Sequence, residues 1–299
     1  MTTSIWSPRF TITPSFSDNQ KRIEMACILL ETVILPLEGD AVLRDRAHVR
    51  ASYASSLIGG GHLTLEQAAS LIADETIEIK GLENDASVVH NYRKALQKAE
   101  EWAKMSLPLT ETLIRRFHRL AMTGKSSRPT PLRKRKSVLK SSLTGDAVYL
   151  PPRPEDLPEL IAALEIWTEE ARSSELAVPA IAGLVHYQIS ALQPFNDGNS
   201  RTACLCADFI LQRDGYGLAG LLAPEEQYAE DLDSYYQALK VNENIDYYEG
   251  RADADLTSWL EYYISSLVRS CDVTLGEMVA YIASMPVKSR RKRKKTGSA

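Results

Sequence analysis

An all-α fold with one small β-hairpin is predicted for this 299-residue chain by three observations. Apolar residues recur at the 3.6-residue helical period through most of the sequence. There is neither an alternation of strands with helices that would signal a parallel sheet nor an internal repeat. A single stretch, 137–152, has the composition of paired strands.

Taken in order, the helical pattern covers 19–35, 63–73, 88–105, 110–124, 155–171, 178–192, 201–215, 231–242 and 255–271. Boundary residues agree with it: Thr110 and Glu111 open one helix, and Gly124 and Gly215 stand where a helix C-terminus favours glycine. The exception, SVLKSSLTGDAVYLPP (137–152), places two β-prone runs around Gly145 and is closed by Pro151 and Pro152. A lone hairpin is marginal in water, so this one must lie on the helices as a flap. Its free edge, around Val148 and Tyr149, either accepts an extended segment of another protein by main-chain pairing or is a plain surface hairpin.

With 44% hydrophobic residues the chain can bury a sizeable core as one large domain or one domain with an appendage. Cys27, Cys204, Cys206 and Cys271 are too scattered for a disulfide framework, which points to a reducing compartment. Cys204 and Cys206, two apart on a helix, point to different faces and make a poor metal site. No N-terminal signal and no run of about 18 apolar residues is present, and a cytoplasmic protein with no membrane span is expected. The formal charge of −4 includes seven cations at 288–295 (KSRRKRKK), so the remainder carries −11. That tail cannot pack and is expected to be disordered in isolation, either serving solubility or no function, or binding nucleic acid or a membrane surface. A second basic run, RKRK (133–136), precedes the flap, and nothing else in the body points to nucleic acid.

The residues that carry chemistry lie in ALQPFNDGNSRTAC (191–204), the turn between two apolar helices. Gly198, Asn199 and Ser200 can present successive backbone N–H groups, and the helix beginning near Arg201 adds its positive end, an arrangement that favours phosphate. Arg201 can grip the same oxygens with a fork of donors. Asp197 is a hard carboxylate of the kind that holds Mg²⁺ beside phosphates. The same composition also makes an ordinary turn.

Pro-Phe-x-Asp-Gly-Asn-x-Arg, after a helix containing His186 and a hairpin ending Tyr-Leu-Pro-Pro, closely resembles the Fic family. Further similarity runs through SSLIGGGHLTLEQA (55–68), which resembles the family's inhibitory helix, and through SYYQALKVN and DLTSWLEYYI, which resemble its C-terminal helices. The resemblance covers roughly 20–270. It implies a helical core with a hairpin flap and, as the usual activity, transfer of AMP from ATP, with Mg²⁺, to a protein hydroxyl. It divides the chain into an N-terminal helical region (1–105) holding the inhibitory-helix-like segment 55–60, a core (106–285) with flap 137–152 and motif loop 193–201, and the tail 286–299.

Departures from the family's His-Pro-Phe-x-Asp-Gly-Asn-Gly-Arg-x-x-Arg are as informative as the match. Gln193 replaces the histidine base, Ser200 a glycine, and Cys204 the final arginine. A glutamine amide can orient a group but cannot take the proton of an attacking hydroxyl. In the inhibitory Ser-x-x-x-Glu-Gly pattern, Ser55 and Gly60 match while Gly59 replaces the glutamate that pairs with the final arginine. Both partners of that pair are therefore absent, which implies that restoring a carboxylate at 59 alone should have little effect. His186 lies two turns, about 10 Å, before Gln193 and reads as a core histidine, as does His118. Asp231 falls near a family asparagine. Three functions stay open: an AMP transferase with an unusual base; a transferase whose nucleophile is already ionised and needs no base; and a pseudoenzyme that holds a nucleotide, other phosphorylated ligand or peptide without turnover.

Overall fold

A computed structural model describes residues 6–33, 36–125, 128–141 and 144–285. The basic tail lies outside the described residues, as do Ser142 and Leu143 in the hairpin turn. The helices are α1 (Pro14–Thr32), α2 (Leu37–Ile58), α3 (Leu65–Ala73), α4 (Glu83–Lys104), α5 (Glu111–Thr123), α6 (Leu157–Arg172), α7 (Val178–Leu192), α8 (Asn199–Arg213), α9 (Pro224–Glu230), α10 (Leu232–Leu239) and α11 (Thr257–Ser284). Strands β1 (Leu139–Lys140) and β2 (Ala147–Tyr149) form an antiparallel pair between α5 and α6. The fold is all-α with a hairpin flap, as the periodicity predicts.

Local signals set several boundaries. The Thr13 side chain caps α1 by accepting from Phe16 N, and Thr64 and Gln67 form a capping box on α3. Thr110 caps α5 through Leu113 N, and Gly124 closes that helix in the left-handed region, φ 64°. Helix α2 is the one long element the periodicity leaves out. Its sequence scatters charges among alanines and serines, so no apolar stripe marks it, and it is held instead by packing on α4 and α9. Asp231 has a structural role: its carboxylate caps α10, accepting from Ser234 N at 2.9 Å.

The centre of the molecule is the α7–α8 hairpin, around which α4, α5, α6 and α11 pack. Every residue of α7 from Pro179 to Leu192 is buried. Gly183 allows the close approach of α11, since a Cβ there would stand 2.8 Å from Tyr263 Cδ1, and its carbonyl accepts from Trp259 Nε1 at 2.7 Å. The main hydrophobic core draws on residues from Trp6 to Met278, and a smaller cluster of Leu63, Ala68, Leu71, Ile72, Ala86 and Val89 packs around α3. Cys204, Cys206 and Cys271 are buried free thiols. A hollow of about 240 Å³, lined by Arg44, Glu100, Lys104 and Arg213 among others, involves none of the motif residues. Arg44 pairs with Asp40 and Glu100 at its wall, and Arg213 with Glu169 and Asp214.

Candidate phosphate site at the start of helix α8

The loop joining α7 to α8 is fixed by its own side chains. Gln193 ends α7 with φ 47° and ψ 57°, a left-handed conformation costly for a residue with a Cβ. It is held there by bonds on both sides: Nε2 donates to Ser190 O at 2.8 Å, and Oε1 accepts from Asn199 Nδ2 at 2.9 Å. Asn199 also donates to Phe195 O and accepts from Phe195 N, both at 2.9 Å. Both amide hydrogens and the oxygen of Asn199 are thereby used, and the residue is buried. Asn199 and Gln193 therefore shape the loop, whereas the sequence reading put both among the catalytic residues. Physically, a six-residue loop returning on itself leaves backbone groups to satisfy, and these two amides satisfy them.

Helix α8 begins without a side-chain cap, because its N-cap is Gly198. Gly198 has φ 71°, and a Cβ on it would meet Met122 Sδ at 2.6 Å, so conformation and space both require glycine. Its own N–H is taken by Asp197 Oδ1 at 2.6 Å and is not offered to a ligand, contrary to the expectation that residue 198 would contribute its amide. Thr202 is the first residue of α8 whose N–H is bonded back, to Gly198 O at 3.0 Å. Among the described residues, the amides of Asn199, Ser200 and Arg201 have no protein acceptor. Arg201 is 8% exposed, and among the described residues its hydrogen-bond acceptor is the Met122 thioether at 3.3 Å. Its nearest carboxylate, Asp197 Oδ2, lies 3.6 Å away on a side chain that is 76% exposed. A nearly buried guanidinium beside three amides without a protein acceptor is an arrangement that could hold an anion. Asp197, exposed and next to it, fits the single-carboxylate mode in which Mg²⁺ is held together with substrate phosphates.

His118 supports this loop, which the sequence reading of a core histidine missed. Its Nε2 donates to Asp197 O at 2.9 Å, its Nδ1 accepts from Thr130 Oγ1 at 2.9 Å, and its ring stacks on Phe195 with centroids 3.8 Å apart. Burial pushes its pKa down to about 4, so at neutral pH it is an uncharged strut. No local pattern announces a contact made across 79 residues of sequence. His186 is a core histidine as expected: it is fully buried, with its Nε2 2.9 Å from Tyr235 Oη and a pKa lowered to about 3 by burial.

The flap sits on the same loop. Tyr149 is buried, donating to Ala191 O at 2.6 Å beneath the Arg251 guanidinium, while Val148 remains exposed. Leu150, next along, is already paired with the 245–247 segment: it donates to Ile245 O and accepts from Tyr247 N. Of the two flap positions named from sequence, Val148 has an exposed side chain and Tyr149 anchors the hairpin. Arg133, the first residue of the basic run 133–136, is only 3% exposed. Its side chain donates to the carbonyls of Gln193, Pro152 and Arg135 at 2.7, 2.5 and 3.1 Å, and its N–H to Pro194 O at 2.9 Å. It joins the flap base to the motif entry and is no part of a surface patch.

The inhibitory-helix-like segment lies against Arg201. Helix α2 ends at Ile58, Gly59 follows with φ −84°, and a Cβ built on Gly59 would stand 3.6 Å from Arg201 Nη1. Ser55 and Ser56 are buried with unpartnered hydroxyls in the last turn before it, and Gly60 turns the chain away with φ 82°. Cys204, where the resemblance places the missing arginine, is 4% exposed, and burial raises its thiol pKa well above the usual value. A carboxylate at position 59 would therefore find Arg201, which revises the expectation that it would have no partner.

Residues 108–211 match the sequence profile of the Fic/DOC family. Over 217 residues the chain is 29% identical to a protein adenylyltransferase Fic of Drosophila grimshawi, covering 68% of this chain and 40% of that protein. The chain thus spans less than half the length of this curated relative. Among solved structures, a Fic family protein from Desulfovibrio desulfuricans G20 superposes with a TM-score of 0.73 at 24% identity, over 91% of this chain and 77% of that one. A Fic domain containing signaling protein from Bacteroides thetaiotaomicron VPI-5482 gives a TM-score of 0.73 at 24% identity, over 90% of this chain and 99% of that one. Among the described residues, no helix is long and apolar enough to cross a membrane. Residues 108–211, which hold α5 to α8 and the loop between α7 and α8, are thus similar to the Fic/DOC family, and the helical fold around them is shared with solved Fic proteins.

Proposed function

We propose that residues 197–201 bind the phosphate of a nucleotide or related phosphorylated ligand, and that AMP transfer to protein hydroxyls is impaired because no base stands at position 193. The observation that carries this reading is Arg201, nearly buried beside the uncapped start of α8, with the Met122 thioether as its acceptor and the exposed Asp197 carboxylate 3.6 Å away. In this reading the amides of 199–201 and the Arg201 guanidinium hold the phosphate oxygens, and Asp197 is the residue to hold Mg²⁺. The metal, when bound, would neutralise phosphate charge. Gln193 shapes the loop and accepts no proton, its amide being bonded to Ser190 and Asn199.

Calorimetric titration with nucleotides tests the reading. Arg201→Ala is expected to weaken binding by about tenfold to a hundredfold, the worth of one charge-assisted contact. Equal heats from wild type and variant would remove the cradle from the argument.

A second result is expected from Gly59→Glu. The backbone there is not left-handed, and the new Cβ meets Ser56 O at 3.3 Å, a tight contact that a shift of a few tenths of an ångström relieves. Its carboxylate is then placed to pair with Arg201 and compete with the ligand, again weakening binding by about tenfold to a hundredfold. Unchanged affinity in a folded variant would show that the carboxylate does not engage Arg201.

A further inference from the structure

We infer that the exposed row Lys134, Arg135, Lys136 and Lys140, which leads from the motif loop to the flap, is a docking face for a short acidic segment of a partner protein. The inference does not use the reading of 197–201 as a phosphate site. Its first support is the distribution of charge along the chain. Between Thr112 and Gly145 stand ten lysines and arginines and no aspartate or glutamate, in a body that is acidic as a whole. Such a segment carries a local positive potential that the rest of the body does not share.

The second support is how the segment is held. Thr130 N donates to Arg115 O at 3.2 Å, and the Thr130 hydroxyl to His118 Nδ1 at 2.9 Å. The N–H of Arg133 and its guanidinium are bonded to the carbonyls of Pro194 and Gln193. Pro129 and Pro131 restrict the backbone between these points. The chain is thereby pinned along the motif loop before it enters β1, and a backbone already ordered has less to lose on binding. Of its cations, Arg115 pairs with Glu111, and Arg133 is buried among carbonyls. Arg128, Lys134, Arg135, Lys136 and Lys140 are exposed, and among the described residues none of them has a carboxylate partner. Elsewhere on the surface, cations such as Arg22, Arg93 and Lys98 stand against carboxylates of this chain.

The third support is the size and chemistry of the face. From 134 to 140 the backbone reaches at most about 20 Å. Acidic residues bound it: Asp146, whose carbonyl accepts from Ser141 N, lies past the flap end, and Glu155 acts on Arg133 at the other. A long polyanion would run off the row onto these carboxylates, whereas a short acidic stretch would not. Val138, between Lys136 and Lys140, adds an exposed apolar contact. From Arg119 to Val148 there is no aromatic residue on which a nucleic-acid base could stack. Carboxylates with an aliphatic side chain among them are the complement of this face.

Fluorescence anisotropy of the full chain with three labelled probes tests the inference. The probes are a glutamate-rich peptide of about eight residues with one central valine, matched to the length of the row, the same peptide with glutamine for glutamate, and a single-stranded DNA of equal charge. The acidic peptide is expected to bind, with an affinity that falls as salt is raised. The glutamine peptide, and the combined variant Lys134→Glu, Arg135→Glu, Lys136→Glu, are each expected to lose at least about tenfold. Glutamine at the same three positions should give a smaller loss, and it decides the matter if the reversed variant does not fold. Arg133 is left in place so that the loop keeps its support. Replacing the seven cations of 288–295 by serine is expected to leave the affinity unchanged. Affinity that follows the tail instead of 134–136, no binding of the acidic peptide, or equal binding of the glutamine peptide would overturn the inference. DNA held more tightly than the peptide would also overturn it, by making the face one for nucleic acid.

Discussion

Gln193→His is expected to raise transfer of AMP from ATP to protein hydroxyls by about a hundredfold to ten-thousandfold, the usual worth of a general base. The substitution places a group titrating near neutral pH at the one motif position where a proton acceptor is missing. Geometry imposes a condition on the gain. Gln193 is held left-handed partly by its bonds to Ser190 O and Asn199 Nδ2, and an imidazole can replace only one of these if its other nitrogen is to serve the nucleophile. The loop is still held by Asn199 on Phe195 and by Arg133 on the carbonyl of residue 193, so the backbone is expected to stay in place. If ATP is poorly held because position 204 has no cation, the single variant will fall at the low end of the range. Adding Ser200→Gly and Cys204→Arg should then move it to the high end. Labelling with ATP radioactive at the α-phosphate reads wild type, single and triple variants together. Strong labelling by wild type, unchanged in Gln193→His, would mean that the site already has a base and that this account of the loop is wrong.

The fold was legible because its two deciding features are local. Helical spacing marks α4 to α8, and the β-prone runs about Gly145 mark the hairpin. Helix α2 escaped because its partners, α4 and α9, stabilise it without imposing an apolar stripe on its sequence. At the site, the residue types were legible but their division of labour was not. Asn199 reads as a ligand-binding residue, yet its amide is spent on Phe195 and Gln193; Arg133 reads as a surface cation, yet it is among the more deeply buried charges. Sequence names the donors and acceptors in a loop. Which of them face one another depends on a backbone path that only the packed helices define. The same holds for position 59, whose neighbour Arg201 is set by how the end of α2 docks on α8.

Arg133→Ala is expected to cost about 3–5 kcal/mol of stability, the largest loss among single changes around the loop. The Arg133 guanidinium, 3% exposed, has carbonyls for hydrogen-bond partners and no paired carboxylate; it bonds to those of Arg135, Pro152 and Gln193, with Leu192 O at 3.4 Å. Burial holds its pKa below the ordinary arginine value without removing the charge, so the carbonyl dipoles compensate a buried cation. Truncation removes the donor from the Pro152 and Gln193 carbonyls at the point where the flap base meets the motif entry, each loss worth about 1–3 kcal/mol where water does not replace it. For a chain of this size the loss corresponds to a fall in Tm of about 10 °C. Arg133→Lys keeps the charge but offers a compact ammonium in place of the planar fork, and should recover less than half of the loss. Urea denaturation of wild type and both variants measures the effect. Hydrogen exchange at residues 149–152 and 193–199 locates it, with protection expected to drop there first. A loss under about 1 kcal/mol, or a Lys variant equal to wild type, would show that water or a shifted neighbour satisfies the carbonyls. Arg133 would then be no link between the flap and the phosphate loop.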